Sequence, residues 1–109
     1  MAQAPFDLDD LRDAIRSRRY LLKYHARQRR KERGFSQQDI EGIILNGDVV
    51  ESSPHATPYP KCLLMLPIDG EPTYASVAYH AESHYAYIIT VHGYDPAKWI
   101  DPWTRRSES

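Results

Sequence analysis

The sequence predicts an α+β protein, with helices on one face of a four-stranded, mainly antiparallel meander sheet. Two observations carry this. Before Gly47 the apolar residues recur at helical spacing, and after it they fall in short runs or alternate. Those runs are broken by Pro-rich and Asp-Gly turn signals at short intervals, which suits hairpins rather than crossovers. A chain of 109 residues has room for one domain, and an apolar fraction of 41% is enough to give it a core.

The first element is "FDLDDLRDAIRSRR". Leu8, Leu11 and Ile15 share one helical face, Asp7 is a cap, and Asp10 stands three residues on. Early acids and late arginines suit the helix dipole. "YLLKY" reads as a short strand. "HARQRRKERG" is made of good helix formers and ends on Gly34, but its apolar content stops at Ala26, so the spacing predicts a surface helix. In "GFSQQDIEGIILNG", Ser36 caps, Asp39 answers it, and Phe35 can staple onto Ile40. Ile40, Ile43 and Ile44 form the buried face, and Gly47 is the stop.

The four strands of the predicted meander are "DVVES", "KCLLMLPI", "TYASVAYH" and "YAYIITVHG". "SPHATPYP" and Asp69-Gly70 supply turns between them. "YDPAKWIDPW" is predicted as one helical turn that packs Trp99 and Ile100 on the sheet. The resulting division is an N-terminal helical extension over 1–19, a single α+β domain over 20–103 and a flexible tail over 104–109.

Charge is sharply polarised. Between Arg16 and Arg33 nine cations face one acid, Glu32, whereas from Gly34 to Asp101 two cations face nine acids. Cys62 is a lone cysteine inside an apolar run and reads as a buried, inert thiol. No run approaches the roughly 20 apolar residues of a membrane span, and "MAQAPFDLDD" is not a secretory signal. A reducing, cytoplasmic setting is the expectation, with no membrane partner and no cofactor.

Four constellations bear on function. On a helix, His25, Arg29 and Arg33 lie four residues apart and form one stripe. Arg19, Lys23, Arg27, Arg30 and Lys31 surround that stripe. Like charges at this spacing repel, which favours an anionic partner such as an RNA backbone or an acidic protein. The bland reading is a solvated helix whose cations meet the nine acids of the second half. His25 itself, at the junction of strand and basic helix, suits general acid–base work, though a capping histidine fits there too. His80 and His84 have the H-x-x-x-H spacing of metal ligands, but they fall on a predicted hairpin turn without a completing ligand, so no metal site is expected. His92 and Tyr94 close the last strand, where they either face the basic helix or decorate a strand end. Of the eight tyrosines, Tyr20, Tyr24, Tyr59, Tyr74, Tyr79, Tyr85, Tyr87 and Tyr94, most are expected to be ordinary half-buried strand residues, and any exposed beside Arg would be stacking partners for unpaired bases.

Taken in order, "YLLKYHARQRRKERG", "FSQQDIEGIILNGDVVE" and "YIITVHGYDPAKWID" resemble the small bacterial family called domain of unknown function 4258, over roughly residues 20–101. That family is similar to the RelE-like toxins, within the barnase-like and colicin-like ribonucleases. The resemblance implies a RelE-like helix-on-sheet fold and metal-independent RNA cleavage. Its His-Ala and spaced-Arg motif falls on His25, Arg29 and Arg33, and its last-strand position falls on His92. The expected function is an RNA-directed, ribonuclease-like toxin or an inactive relative of one, whose further partner is an acidic antitoxin. One departure is that such toxins are usually strongly basic, while this chain has a net charge of −1. The alternative is a non-enzymatic module that docks an acidic protein or a second copy of itself as a homodimer.

Overall fold

The computed structural model describes residues 2–107, and within them the side chains of Arg29, Arg30 and Arg33 lie outside the description. The elements follow as α1 (Leu8–Arg16), β1 (Tyr20–Leu22), α2 (Tyr24–Arg33), α3 (Gln37–Asn46), β2 (Asp48–Ser53), β3 (Lys61–Ile68), β4 (Glu71–His80), β5 (Tyr85–Gly93), β6 (Trp99–Asp101) and β7 (Thr104–Arg105).

The architecture differs from the predicted four-stranded meander. The chain is mostly β, with a five-stranded mixed sheet in the order β1-β5-β4-β3-β2 and a separate two-stranded sheet, β6-β7. The meander β2 to β5 is present and antiparallel throughout. The fifth strand is β1, which pairs parallel with β5, Tyr20 opposite Ala86 and Leu22 opposite Ile88. A parallel partner needs a long connection, and here it is everything from α2 to β4. A three-residue strand carries no sign of so distant a pairing. The predicted helical turn at Tyr94–Trp103 is also corrected: its second half folds into the β6-β7 hairpin, with Trp99 opposite Arg105. Trp99 is buried there as expected, but Ile100 is exposed.

Local rules account for the helices. The Asp7 carboxylate accepts from the backbone N–H groups of Asp9 (3.0 Å) and Asp10 (3.2 Å), which caps α1. In α3, Ser36 Oγ accepts from the Asp39 N–H and the Asp39 carboxylate accepts from the Ser36 N–H, both at 2.9 Å, a complete capping box. Leu11, Ala14 and Ile15 of α1 and Ile40, Ile43 and Ile44 of α3 are buried in one core with Leu64, Val77, Ile88 and Val91, and the partly buried Phe35 packs against it. α2 offers that core Ala26, which is fully buried. Gly34 follows α2 at φ +73°, a left-handed conformation that costs glycine little. The opposite face of the sheet has a smaller core, Val50, Leu63, Met65 and Tyr74, closed by Trp99. No helix among the described residues is long and apolar enough to cross a membrane.

Gly47 ends α3 for a reason other than its φ, which is −77°. A Cβ there would lie 2.3 Å from the Ile43 carbonyl oxygen and 2.8 Å from that of Met65. Glycine lets the helix end press against β3. Arg12 finishes the junction: its Nε donates to the Ile44 carbonyl and its Nη2 to the Gly47 carbonyl, both at 2.9 Å, so a cation neutralises the negative helix terminus. Gly47→Ala is expected to cost about 3 kcal/mol, because neither contact is with a movable side-chain end. Urea unfolding would read this as a lower midpoint at unchanged slope.

Cys62 is buried as expected, and burial pushes its thiol up to about 12, with the Arg12 charge acting weakly against that rise. The native state therefore favours the neutral thiol. That contribution to stability is complete below the ordinary thiol pKa and is lost as pH climbs towards 12. Iodoacetamide at pH 8 should leave native Cys62 unmodified and label it in urea, as read by mass spectrometry. Labelling of the native protein would mean that β3 opens readily.

Candidate functional site

The site begins with β1. Its backbone is fixed to β5 at both ends, where the Ala86 N–H donates to the Arg19 carbonyl at 3.0 Å and the Lys23 N–H to the Ile88 carbonyl at 2.9 Å. α2 starts one residue later, so Tyr24 and His25 fall in its first turn, beside β5. His25 is exposed. It lines a cleft of about 560 Å³ together with Thr90, His92, Tyr94, Lys98 and Arg105.

His92, Trp99 and Arg105 in the lining of this cleft belong to a column of stacked groups completed by the buried Tyr74. The Arg105 guanidinium lies 4.5 Å from the centroid of the Trp99 ring. Trp99 stacks on Tyr74 at 4.8 Å, and Tyr74 on His92 at 5.2 Å, with interplanar angles of 16° and 18°. Glu51 receives Arg105 through two hydrogen bonds, 2.6 and 2.7 Å, a bidentate pairing that fixes the guanidinium plane. The Tyr74 hydroxyl donates to the Pro102 carbonyl at 2.8 Å, and burial, aided by the neighbouring Tyr94, Asp101 and Glu51, pushes its pKa up to about 12. His92 Nδ1 sits 3.2 Å from the Gly93 carbonyl oxygen. A carbonyl can only accept, so Nδ1 carries a proton and, in the neutral ring, the lone pair falls on Nε2. The Tyr94 hydroxyl donates to the Trp99 carbonyl at 3.4 Å.

Of the residues singled out by sequence, His25, His92 and Tyr94 therefore come together. The side chains of Arg29, Arg33 and Arg30 lie outside the described residues. Arg19, Lys23, Arg27 and Lys31 are exposed. Lys23 Nζ is 5.9 Å from the centroid of the Tyr87 ring. The reading in which the basic segment is neutralised by acids of the second half has one instance among the described residues, Arg18 to Glu41 at 3.8 Å. No ion pair joins Arg27 or Lys31 to a carboxylate among those residues.

His80 and His84 diverge. His80 stacks on Tyr59 at 4.3 Å and has its Nδ1 2.7 Å from Ser83 Oγ. His84, at φ +55°, reaches back to α1, with Nδ1 2.7 Å from the Tyr79 hydroxyl and Nε2 3.2 Å from Asp13. Tyr79 in turn donates to Asp10 at 2.7 Å, and burial first, then that bond, raises its pKa. This network ties α1 to the β4-β5 turn. Lys98, Trp99 and Arg105 were not foreseen in the cleft, because they reach it only through the β6-β7 hairpin.

A small mixed-sheet protein with a solvent-open histidine cleft at the edge of its sheet is the class these features define. Residues 22–92 match the model of the family described as Domain of unknown function (DUF4258), and the chain belongs to that family. No curated protein and no solved structure matches it. The matched span holds His25, α2, α3 and His92. α1 and the wall from Tyr94 to Arg105 lie beyond it.

Trp99 carries this outer wall, being 1% exposed and central to the column. Trp99→Ala is expected to cost about 3–5 kcal/mol. Trp99→Phe should recover most of that in urea unfolding, since a ring is kept between Tyr74 and Arg105.

Proposed function

We propose that the protein acts on RNA as a metal-independent, ribonuclease-like enzyme, by analogy with the RelE-like toxins. The observation that carries this reading is the meeting of His25 and His92 in one open cleft that also holds Lys98 and Arg105. Cleavage of this kind uses the RNA's own 2′-hydroxyl. A base removes its proton, the oxygen attacks phosphorus, and a 2′,3′-cyclic phosphate forms as the bond to the 5′-oxygen breaks. An acid returns a proton to that leaving oxygen. His25 is the acid–base group, and His92 with Tyr94 are its partners on the β5 side. Lys98, exposed at the cleft, holds the phosphate and opposes the charge that builds on it, whereas the Arg105 guanidinium is already paired with Glu51. Arg29 and Arg33, whose side chains lie outside the described residues, are assigned to the phosphate on helical spacing from His25 alone.

Purified protein incubated with RNA in excess chelator should yield fragments ending in cyclic phosphate. His25→Ala should slow cleavage by roughly 100-fold or more, the usual weight of a positioned acid–base group. Intact RNA with the unaltered protein would defeat the enzymatic reading. Undiminished cleavage by His25→Ala would remove His25 from the chemistry.

A further inference from the structure

A second cleft, of about 590 Å³, opens between the first turn of α2 and the sheet face opposite the main core. It lies beside the first and shares His25 with it. Its lining includes Lys23, Tyr24, Tyr59, Lys61 and Tyr87. The rings are ordered. Tyr59, from the Pro-rich loop, stacks with His80 at 4.3 Å and with Tyr87 at 5.6 Å, at interplanar angles of 15° and 14°. Tyr85 leans on Tyr87 at 5.4 Å. Tyr24 is 65% exposed, the most exposed large apolar side chain of the described residues, and meets His25 edge to face.

We propose that this cleft binds an unpaired nucleobase of single-stranded RNA and leads the adjoining phosphate to His25. Parallel, partly exposed rings flanked by cations are what single-strand binding uses. The rings stack on bases of any sequence, and lysines follow the backbone. The cleft has the size of a small-ligand site. Lys23 and Lys61 line it, and Lys23 lies over Tyr87, so positive charge stands next to the stacking surface. An anionic polymer with flat, apolar bases complements both features, whereas an acidic polypeptide would use only the charge. The shared His25 makes the two clefts one track, and to that extent the inference rests on the proposed cleavage.

The test measures binding rather than turnover. Fluorescence anisotropy is recorded with a labelled 2′-O-methyl RNA ten nucleotides long, which has no 2′-hydroxyl to attack, and with an abasic strand of equal length and charge. The full chain should bind the base-bearing strand more tightly than the abasic one. Tyr24→Ala should weaken that binding by roughly 5- to 100-fold, the loss of one stacked base. Because Tyr24 is exposed, circular dichroism and melting should be unchanged. Tyr87→Leu, which keeps an apolar side chain on the strand, should act in the same direction. Equal affinity for the abasic strand, no effect of either variant, or displacement by polyglutamate as readily as by RNA would overturn the proposal. Base-dependent binding without any cleavage would leave the stacking site standing and defeat the enzyme. Cleavage that persists with unaltered binding in Tyr24→Ala would do the reverse.

Discussion

Three residues laid parallel to β5 fix where α2, His25 and the cleft lie. Tyr20, Leu21 and Leu22 pair with Ala86, Tyr87 and Ile88, and a strand this short has little hold of its own. Its anchorage comes from side chains as well. The Tyr20 hydroxyl donates to Glu41 and accepts from Gln37 Nε2 at 2.6 Å, and both partners stand on α3. Burial, followed by the Glu41 bond, raises the Tyr20 pKa, so the phenol stays a donor. The Arg12 bonds hold the far end of the same helix. β1 is thus fastened to the most firmly capped helix of the molecule, and α2 leaves β1 with no slack. Lys23 above Tyr87 and His25 in the cleft are consequences of that single placement.

The uneven charge is arranged by the same scaffold. Cations near α1 and on the hairpin have structural tasks: Arg12 on carbonyls, Arg18 on Glu41, Arg105 on Glu51. Arg27 and Lys31 on α2 are exposed, and among the described residues neither meets a carboxylate. A helix with one fully buried residue among those described, Ala26, and a run of like charges in its sequence has little reason of its own to persist. Its two ends are set by β1 and by the α3 capping box across Gly34. The fold keeps a weak helix in place, and what it gains is a field of positive potential beside an exposed imidazole.

Much of this could be read from the sequence wherever the cause was local. The Ser36–Asp39 box, the Asp7 cap, the isoleucine face of α3 and the meander strands follow from spacing over a few residues. The parallel docking of β1, the hairpin around Trp99 and the reason for Gly47 could not be read, because each depends on a partner distant in the chain. Gly47 shows the limit well. Its place at a helix end was legible, but the constraint is the carbonyl of Met65, which no helix rule contains. The candidate site divides in the same way. His25, His92 and Tyr94 stood out as residue types at element ends, and their meeting was one of two readings. Lys98 and Arg105 had no signal, since a hairpin had to form before they came near.

The two faces of the sheet explain why a stacking surface exists at all. One face is covered by α1, α3 and Ala26 of α2 and is mainly apolar, with the Tyr79 hydroxyl satisfied by Asp10 and His84. On the other, the hairpin covers only the end that bears Val50, Leu63, Met65 and Tyr74. The remainder, from Ala78 to Ile89, is covered by rings left partly open to water. Aliphatic side chains there would form an exposed apolar patch, whereas tyrosine and histidine keep a polar edge in solvent while their faces meet. Tyr59 makes the difference between a tolerated surface and a prepared one. It comes from a loop, not a strand, and its ring lies nearly parallel to both His80 and Tyr87. Rings already held parallel lose little freedom when another flat group joins them, and that is the condition under which stacking turns into affinity.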